Sequence, residues 1–255
     1  MKHLRSFKTA SIDRICINYG IENYTINSDG TVDVDGDVNF YSKRLVKLPI
    51  KFGKVTGDFS CVNNKLSTLE GGPKEVGGDF YCGDNQLTSL EGGPKEVGGD
   101  FYCNDNQLTS LEGGPEKVGG SFYCGDNQLT SLEGGPEKVG GSFYCGDNQL
   151  TSLEGGPKEV GGDFYCMSNK LVTLDGLPKD IGGCLLGSSN SFKDFDCYDN
   201  PIYQIYNLFG SFKEYQDSLD YSYLRGTNIV KSRFEEALQE IGKTVPDKIK
   251  GYNYI

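Results

Sequence analysis

The sequence predicts a β-rich solenoid, in which each repeat forms one coil and neighbouring coils stack in register. The stretch FYCGDNQLTSLEGGPKEVGGD, residues 80–100, returns at intervals of 21 residues, and a fixed period of this size is typical of solenoids. Close, looser or degenerate copies begin at Val38, Phe59, Phe80, Phe101, Phe122, Phe143, Phe164 and Leu185. In Phe80-Tyr81-Cys82 the first and third side chains share a face, as in a strand. We therefore expect a parallel sheet of about eight coils.

Residues 1–37 precede the repeats and are predicted to form an N-terminal cap. Apolar residues follow helical spacing from Ile12 to Tyr19, and Gly20 is placed to end that helix. The segments NYTIN and TVDVD, separated by Ser28-Asp29-Gly30, predict a β-hairpin. The first coil of a solenoid has no neighbour on one side, so a cover of this kind is required there.

Each repeat from Phe59 onward contains an asparagine five residues after the first residue of its strand, and Lys43 replaces it in the first coil. A side-chain amide both donates and accepts hydrogen bonds, so it can satisfy backbone groups that are freed where a strand turns. The residues predicted to have this structural role are Asn64, Asn85, Asn106, Asn127, Asn148 and Asn169. Leu87, Leu90 and Val97 are expected to point inward, and Pro94 with the paired glycines is expected to form the corners.

The spacing F-x-C-x-x-N-x-L-x-x-L resembles the leucine-rich repeat, with Phe and Cys at two of its strand positions. The 21-residue length without a helical half is similar to the short bacterial type. The wider pattern P-x-x-V-G-G-x-F-x-C-x-x-N-x-L-x-S-L is similar to repeat proteins encoded by tailed bacteriophages and other large DNA viruses. The resemblance covers residues 38–205, and it implies a leucine-rich repeat solenoid and a viral protein.

The regular spacing ends after Leu185. The next strand-like triplet, Phe195-Asp196-Cys197, follows only ten residues later, which leaves either an inserted half-turn or a bend of the axis. Residues 206–255 lack the repeat and are predicted to form a C-terminal helical cap, with a docking element as the alternative. The clearest helix of this region spans the apolar residues Val230 to Ile241 and ends at Gly242.

The charge distribution limits the partners that we expect. The chain has a net charge of −11, and residues 38–200 carry 14 basic and 23 acidic side chains, a balance of −9. An acidic array repels phosphates, so direct binding to nucleic acid or to an anionic membrane is not expected, and a basic patch on another protein is the natural complement. The start of the chain has no apolar signal core, and no stretch is long enough to span a membrane. We expect a reduced, cytoplasmic protein, in the host cytoplasm if it is viral.

No grouping of residues predicts catalysis, a metal or a cofactor. The repeated cysteines share a face with the core phenylalanines, so we expect them to pack rather than to bind a metal. DVDGDV at 33–38 resembles part of a calcium loop, but Arg44 stands where the bidentate acid is needed. The segment GGPKEVGG lacks the Gly-Lys-Ser/Thr ending of a P-loop. His3 is the only histidine, and the repeated carboxylates have identical neighbours, so we do not expect an enzyme.

The outward face of the strands is the candidate protein-binding site. A row of tyrosines is expected there, one ring in each coil: Tyr81, Tyr102, Tyr123, Tyr144 and Tyr165. Aspartates are expected beside this row, Asp84, Asp105, Asp126 and Asp147 on one side and Asp79, Asp100 and Asp163 on the other. Tyrosine is enriched in the energetically important parts of interfaces, although cross-strand stacking alone is a second explanation for such a row.

These observations lead to three hypotheses for the function. The first is a non-enzymatic module that presents a concave Tyr/Asp sheet to another protein; the resemblance implies a viral protein that engages a host protein, for example in a defence system. The second is an acidic decoy that imitates nucleic acid and occupies a DNA-binding protein. The third is a structural component of a virion. The sequence does not predict the oligomeric state.

Overall fold

The structure is a computed structural model that describes residues 2–172, 175–183, 185–187, 190, 224–225, 228–229, 231–240, 242–246 and 253–254. In chain order its elements are α1 (Lys2–Tyr19), β1 (Tyr24–Ile26), β2 (Val32–Val34), β3 (Val38–Asn39), β4 (Phe52–Val55), β5 (Phe59–Ser60), β6 (Glu75–Val76), β7 (Phe80–Tyr81), β8 (Glu96–Val97), β9 (Phe101–Tyr102), β10 (Lys117–Val118), β11 (Phe122–Tyr123), β12 (Lys138–Val139), β13 (Phe143–Tyr144), β14 (Glu159–Val160), β15 (Phe164–Tyr165), β16 (Asp180–Ile181), β17 (Leu185–Leu186), β18 (Leu224–Arg225), β19 (Asn228–Ile229), α2 (Lys231–Glu240) and β20 (Asn253–Tyr254).

The repeats form a β-solenoid with two parallel sheets, as the 21-residue period predicts. One sheet, which we call the tyrosine sheet, contains eight strands in the order β17-β15-β13-β11-β9-β7-β5-β3. Its strands pair between residues 21 apart, so that Phe80 lies beside Phe101 and Tyr81 beside Tyr102. The predicted parallel register, with like side chains aligned from coil to coil, is confirmed.

The second sheet, which we call the lysine–glutamate sheet, was not predicted. Its nine strands follow the order β1-β2-β4-β6-β8-β10-β12-β14-β16. Most of its repeat strands contain two residues, one exposed and one buried, such as Glu96–Val97. Two residues are too few to show an alternation in the sequence. The coils approach closely here, since a Cβ added to Gly98 would lie 2.1 Å from the carbonyl oxygen of Gly77.

The core consists of columns of identical side chains. Phenylalanine rings from Phe59 to Phe164 stack in one column with centroids 5.1 to 5.5 Å apart, and all are buried. Leucines such as Leu87 and Leu90 and valines such as Val97 fill the rest of the interior. One coil cannot enclose these side chains alone, so stability depends on the neighbouring coils.

The N-terminal cap is built as predicted, although its helix is longer. Helix α1 ends before Gly20, which adopts a φ of +67°. Its Cys16 is buried, and Tyr19 meets Phe40 of the first coil edge to face at 5.0 Å. Strands β1 and β2 form the expected antiparallel hairpin, and β2 also pairs in parallel with β4. The hairpin therefore continues directly into the lysine–glutamate sheet.

In the C-terminal region the predicted helix before Gly242 is present as α2, with Phe234, Ala237 and Leu238 buried. A small sheet of β18, β19 and β20 was not predicted. The apolar spacing at 202–209 and the capping-box pattern at 211–214 also predict helices, but both segments lie outside the described residues. The question of an insertion or bend at 185–194 falls mostly outside them as well. None of the helices within the described ranges is long and apolar enough to cross a membrane.

Candidate functional site: a tyrosine ladder between two rows of aspartates

The five tyrosines predicted on the outward face form one continuous stack, which we call the tyrosine ladder. From Tyr81 to Tyr165, neighbouring ring centroids lie 4.7, 4.3, 4.4 and 4.3 Å apart, and the ring planes deviate by 11° or less. The flanking Phe and Cys of each strand point into the core, so the tyrosine between them must point outward. Each ring is half-buried by its neighbours. The interior rings therefore use their faces against one another and present edges and hydroxyl groups.

The aspartates that precede each strand, Asp79, Asp100 and Asp163, are bonded to the ladder. We call them the ladder aspartates. The hydroxyl groups of Tyr81, Tyr102 and Tyr165 donate to Oδ2 of these residues at 2.7, 3.0 and 2.9 Å, respectively. Oδ1 of Asp79 also accepts the backbone N–H of Asp100 at 2.7 Å. One carboxylate thus fixes a tyrosine ring and joins two coils.

In two central coils serine stands in this row. Oγ of Ser121 accepts the backbone N–H of Ser142 at 3.0 Å, and Oγ of Ser142 accepts that of Asp163 at 2.9 Å. Serine therefore preserves the bond between coils but places no carboxylate beside Tyr123 or Tyr144. The row of ladder aspartates is therefore interrupted in the middle of the ladder.

The second row, Asp84, Asp105, Asp126 and Asp147, lies at the turn that follows each strand, and we call these residues the turn aspartates. All four are exposed and adopt φ values of 52° to 55°, a left-handed conformation that aspartate tolerates better than most residues. Partial burial raises the pKa of Asp126, and the neighbouring charges of Asp105 and Asp147 raise it further. Backbone geometry therefore accounts for aspartate here, and the carboxylates are close enough to repel one another.

The environment of the ladder raises the pKa of Tyr81, Tyr102, Tyr123 and Tyr165. The hydrogen bond to Asp163 is the main reason that the pKa of Tyr165 rises to about 12. The pKa of Tyr81 is raised first by its hydrogen bond to Asp79, and that of Tyr102 first by burial and then by Asp100. Burial also raises the pKa of Tyr123, while a hydrogen bond with Ser121 opposes this shift. These tyrosines therefore remain neutral donors at physiological pH.

The predicted structural asparagines lie behind the turn and form hydrogen bonds with both the nitrogen and the oxygen of the side-chain amide. Nδ2 of Asn106 donates to the carbonyl oxygens of Cys82, Cys103 and Asn104 at 3.1 to 3.2 Å. Its Oδ1 accepts the backbone N–H of Leu87 at 2.9 Å. Asparagines in the same position of the other coils make equivalent bonds. They hold the turn that carries the turn aspartates.

The cysteine column belongs to the core. The thiols of Cys61 through Cys166 are buried, and Sγ of Cys103 donates to the carbonyl oxygen of Tyr123 at 3.3 Å. Burial raises the pKa of Cys61 and Cys166 to about 12, and that of the cysteines between them well above its ordinary value. Among the residues that the structure describes, no group of three or more His, Cys, Asp or Glu side chains could hold a metal ion.

The structure adds residues that the sequence analysis did not single out. Asp58 belongs to the row of the ladder aspartates, and its Oδ1 accepts the backbone N–H of Asp79 at 2.8 Å. Its position 21 residues before Asp79 was the signal that could have identified it. On the lysine–glutamate sheet, a shallow groove of about 530 Å³ runs over exposed glycines. Ion pairs between coils, such as Lys117 with Glu96 at 2.9 Å, border that groove.

Comparison with known proteins gave no match. No family model, no curated protein and no solved structure is similar to this chain at a significant level.

Proposed function

We propose that this chain is a non-enzymatic protein-binding module whose tyrosine ladder, with its aspartates, contacts a basic patch of another protein. The observation that supports this most strongly is the single continuous stack of five outward-facing tyrosines. Tyrosine offers a large amphipathic contact area and is enriched at interface hot spots. The stack extends over five coils, so it offers an elongated contact surface.

The ladder is rigid before any partner binds. Each interior ring is held between two others, and three hydroxyl groups are fixed by carboxylates of the same coil. Binding usually costs free energy because side chains at the interface lose rotamer freedom. Here the folded chain has already restricted these rotamers, so contacts with a partner lose less free energy to ordering.

The carboxylates support a basic partner. The turn aspartates are exposed along one side of the ladder, and the ladder aspartates lie half-buried on the other. Complementary charge speeds association and disfavours partners of the wrong sign. The resemblance of the repeats to those of tailed bacteriophages and large DNA viruses adds, within this proposal, a viral leucine-rich repeat protein and a host partner, with proteins of a defence system among the candidates.

A nucleic-acid-mimicking decoy is the second candidate. The observation in its favour is the regular row of turn aspartates, where partial burial and then the neighbouring charges of Asp105 and Asp147 raise the pKa of Asp126. In this case the bound protein would normally bind DNA, and its affinity would fall steeply with salt. The tyrosines would then be dispensable, which distinguishes this candidate from the first.

The two candidates can be separated by affinity purification from host lysate with mass spectrometry. The test variant is Tyr102→Ala/Tyr123→Ala/Tyr144→Ala, and the matched control is Glu96→Ala/Lys117→Ala/Lys138→Ala in the same coils on the other sheet. We expect the control to retain a partner that the tyrosine variant loses. Circular dichroism and thermal unfolding should show that both variants are folded. If the tyrosine variant retains every partner, the proposed face is wrong. If only Asp84→Asn/Asp105→Asn/Asp126→Asn/Asp147→Asn loses the partner, the decoy is favoured.

A further inference from the structure

The tyrosine ladder begins at Tyr81 because the preceding coil has a serine in the equivalent position. Ser60 and Tyr81 are register partners in the neighbouring strands β5 and β7. One face of the Tyr81 ring stacks on Tyr102 with centroids 4.7 Å apart. On the other side Ser60 offers only a hydroxymethyl group, and no described aromatic ring pairs with that face. The first ring of the ladder thus has one face that is not stacked.

The aspartate that accompanies a ring in this row is nevertheless present in the preceding coil. Oδ1 of Asp58 accepts the backbone N–H of Asp79, as Oδ1 of Asp79 accepts that of Asp100. Oδ2 of Asp79 receives the Tyr81 hydroxyl group at 2.7 Å. Oδ2 of Asp58 receives no hydrogen bond from any described residue, because Ser60 carries no ring that would bring a hydroxyl group to it. Oδ2 of Asp58 and the unstacked face of the Tyr81 ring therefore lie at the same end of the tyrosine ladder.

Negative charge is concentrated around Tyr81, the first ring of the ladder. The hydrogen bond to Asp79 is the first cause of the raised pKa of Tyr81, and the charges of Asp79, Asp58 and Asp100 raise it further. The negative potential that disfavours the phenolate form of Tyr81 favours a cation at the same place. The other end of the ladder differs, since the partner of Tyr165 is the apolar Leu186 and the residue 21 positions after Asp163 is Cys184.

We propose that Asp58 and the unstacked face of Tyr81, next to the space that the small Ser60 leaves open, form a binding site for an arginine side chain of the partner protein. The guanidinium plane would stack on the unstacked face of Tyr81 and donate an N–H group to Oδ2 of Asp58. It would thus take the place that the ring and hydroxyl group of a further tyrosine would occupy. Arginine is planar, permanently charged and rich in donors, and it stacks on aromatic faces. Lysine lacks the plane and a neutral ring lacks the charge. This inference rests on the proposed function and specifies the chemistry of its partner.

The direct test is an NMR titration of the full chain with N-acetyl-arginine amide, observed at the tyrosine rings and backbone amides. We expect saturable shifts at Tyr81 and Ser60 and none at Tyr165, the matched ring at the opposite end. N-acetyl-citrulline amide has nearly the same shape without the charge, and we expect it to bind at least about tenfold more weakly because a charge-assisted bond is lost. Equal binding of the citrulline, lysine or tyrosine amide, or no saturable shift at Tyr81, would overturn the proposal.

Two variants sharpen the test. Ser60→Tyr should complete the ladder by stacking on Tyr81 and donating to Asp58, so it should raise the melting temperature and abolish arginine binding. Ser60→Ala is its control and should bind like the wild type. Asp58→Asn retains an acceptor for the N–H of Asp79 but removes the charge, and we expect about tenfold weaker binding. If Ser60→Tyr still binds arginine amide like the wild type, the site is wrong.

The proposed function and this inference can fail separately. A host partner that is lost with the tyrosine triple variant but kept at full affinity by Ser60→Tyr would overturn the arginine site and leave the protein-binding function standing. Suppose instead that arginine amide binds saturably at Tyr81 and that every partner binds the tyrosine triple variant as tightly as the wild type. This result would support the arginine site and contradict the proposed function.

Discussion

The hydroxyl group of Tyr81 donates to Oδ2 of Asp79 at 2.7 Å, and this bond lies within a single coil. The other oxygen of the same carboxylate holds the following coil through the backbone N–H of Asp100. The aspartate therefore couples the orientation of a tyrosine to the stacking of two coils. The same arrangement recurs at Asp100 with Tyr102.

Removal of one ladder aspartate should destabilise the solenoid. In Asp100→Ala the backbone N–H of Ser121 and the hydroxyl group of Tyr102 both lose their acceptor. We expect the free energy of unfolding to fall by about 1–3 kcal/mol, measured by urea denaturation, because a partly buried donor is left unpaired. Glu112→Ala, an exposed residue in the same coil, should change it by less than about 0.5 kcal/mol. Equal effects for the two variants would contradict this role.

The ladder also predicts how stability depends on alkaline pH. The pKa values of Tyr81, Tyr102 and Tyr165 are raised above the ordinary value of 10.0 in the folded chain. Between that value and the folded pKa, the folded chain holds protons that the unfolded chain has lost, so stability falls as pH rises. The stabilising contribution is complete below pH 10 and is lost above it.

Urea unfolding between pH 8 and 11.5, with absorbance at 295 nm to follow phenolate formation, measures this effect. We expect stability to decline above about pH 9, where the buried cysteines first lose their stabilising contribution, and the tyrosines to add to the decline above pH 10. Asp79→Asn/Asp100→Asn should weaken the decline, because the hydrogen bonds that hold these protons change. A stability that rises above pH 10 would contradict the assigned shifts.

The buried cysteines should be unreactive while the chain is folded. Seven described thiols are buried, and burial raises the pKa of those in the repeat column, which disfavours the nucleophilic thiolate. Cys184 and Cys197 lie outside the described residues, so Cys184→Ser/Cys197→Ser is the protein to use. We expect no rapid reaction with Ellman's reagent in buffer and seven thiols in denaturant. Rapid reaction of the folded chain would place the column at the surface.

The sequence predicted those features that depend on a repeated side-chain pattern. The fixed period located the coils, and the triplet Phe80-Tyr81-Cys82 set the inward and outward faces of the tyrosine sheet. The lysine–glutamate sheet was missed because a two-residue strand such as Glu96–Val97 is defined by pairing with other coils. Its hydrogen bonds are long-range and leave no local signature.

The candidate site was predicted in composition but not in bonding. The two aspartate rows looked alike in sequence, yet Asp79 is bonded within the ladder and Asp84 occupies a left-handed turn. These different roles follow from backbone conformation and from contacts between coils, which composition does not contain. The stack of tyrosines also fits the alternative explanation, cross-strand stabilisation, and the proposed binding face uses the same residues.

The central claim, that 21-residue coils stack in register, is tested most directly by distances between spin labels. Lys65, Gln86, Gln107, Gln128, Gln149 and Lys170 occupy one exposed position in successive coils. In the Cys184→Ser/Cys197→Ser background, one label is placed at Lys65 and the second at Gln149 or at Lys170. The account predicts narrow distance distributions by pulsed electron paramagnetic resonance, near 19 Å for the first pair and about 5 Å longer for the second, since each coil adds ~4.8 Å. Broad distributions, or a distance that does not grow with each added coil, would contradict it.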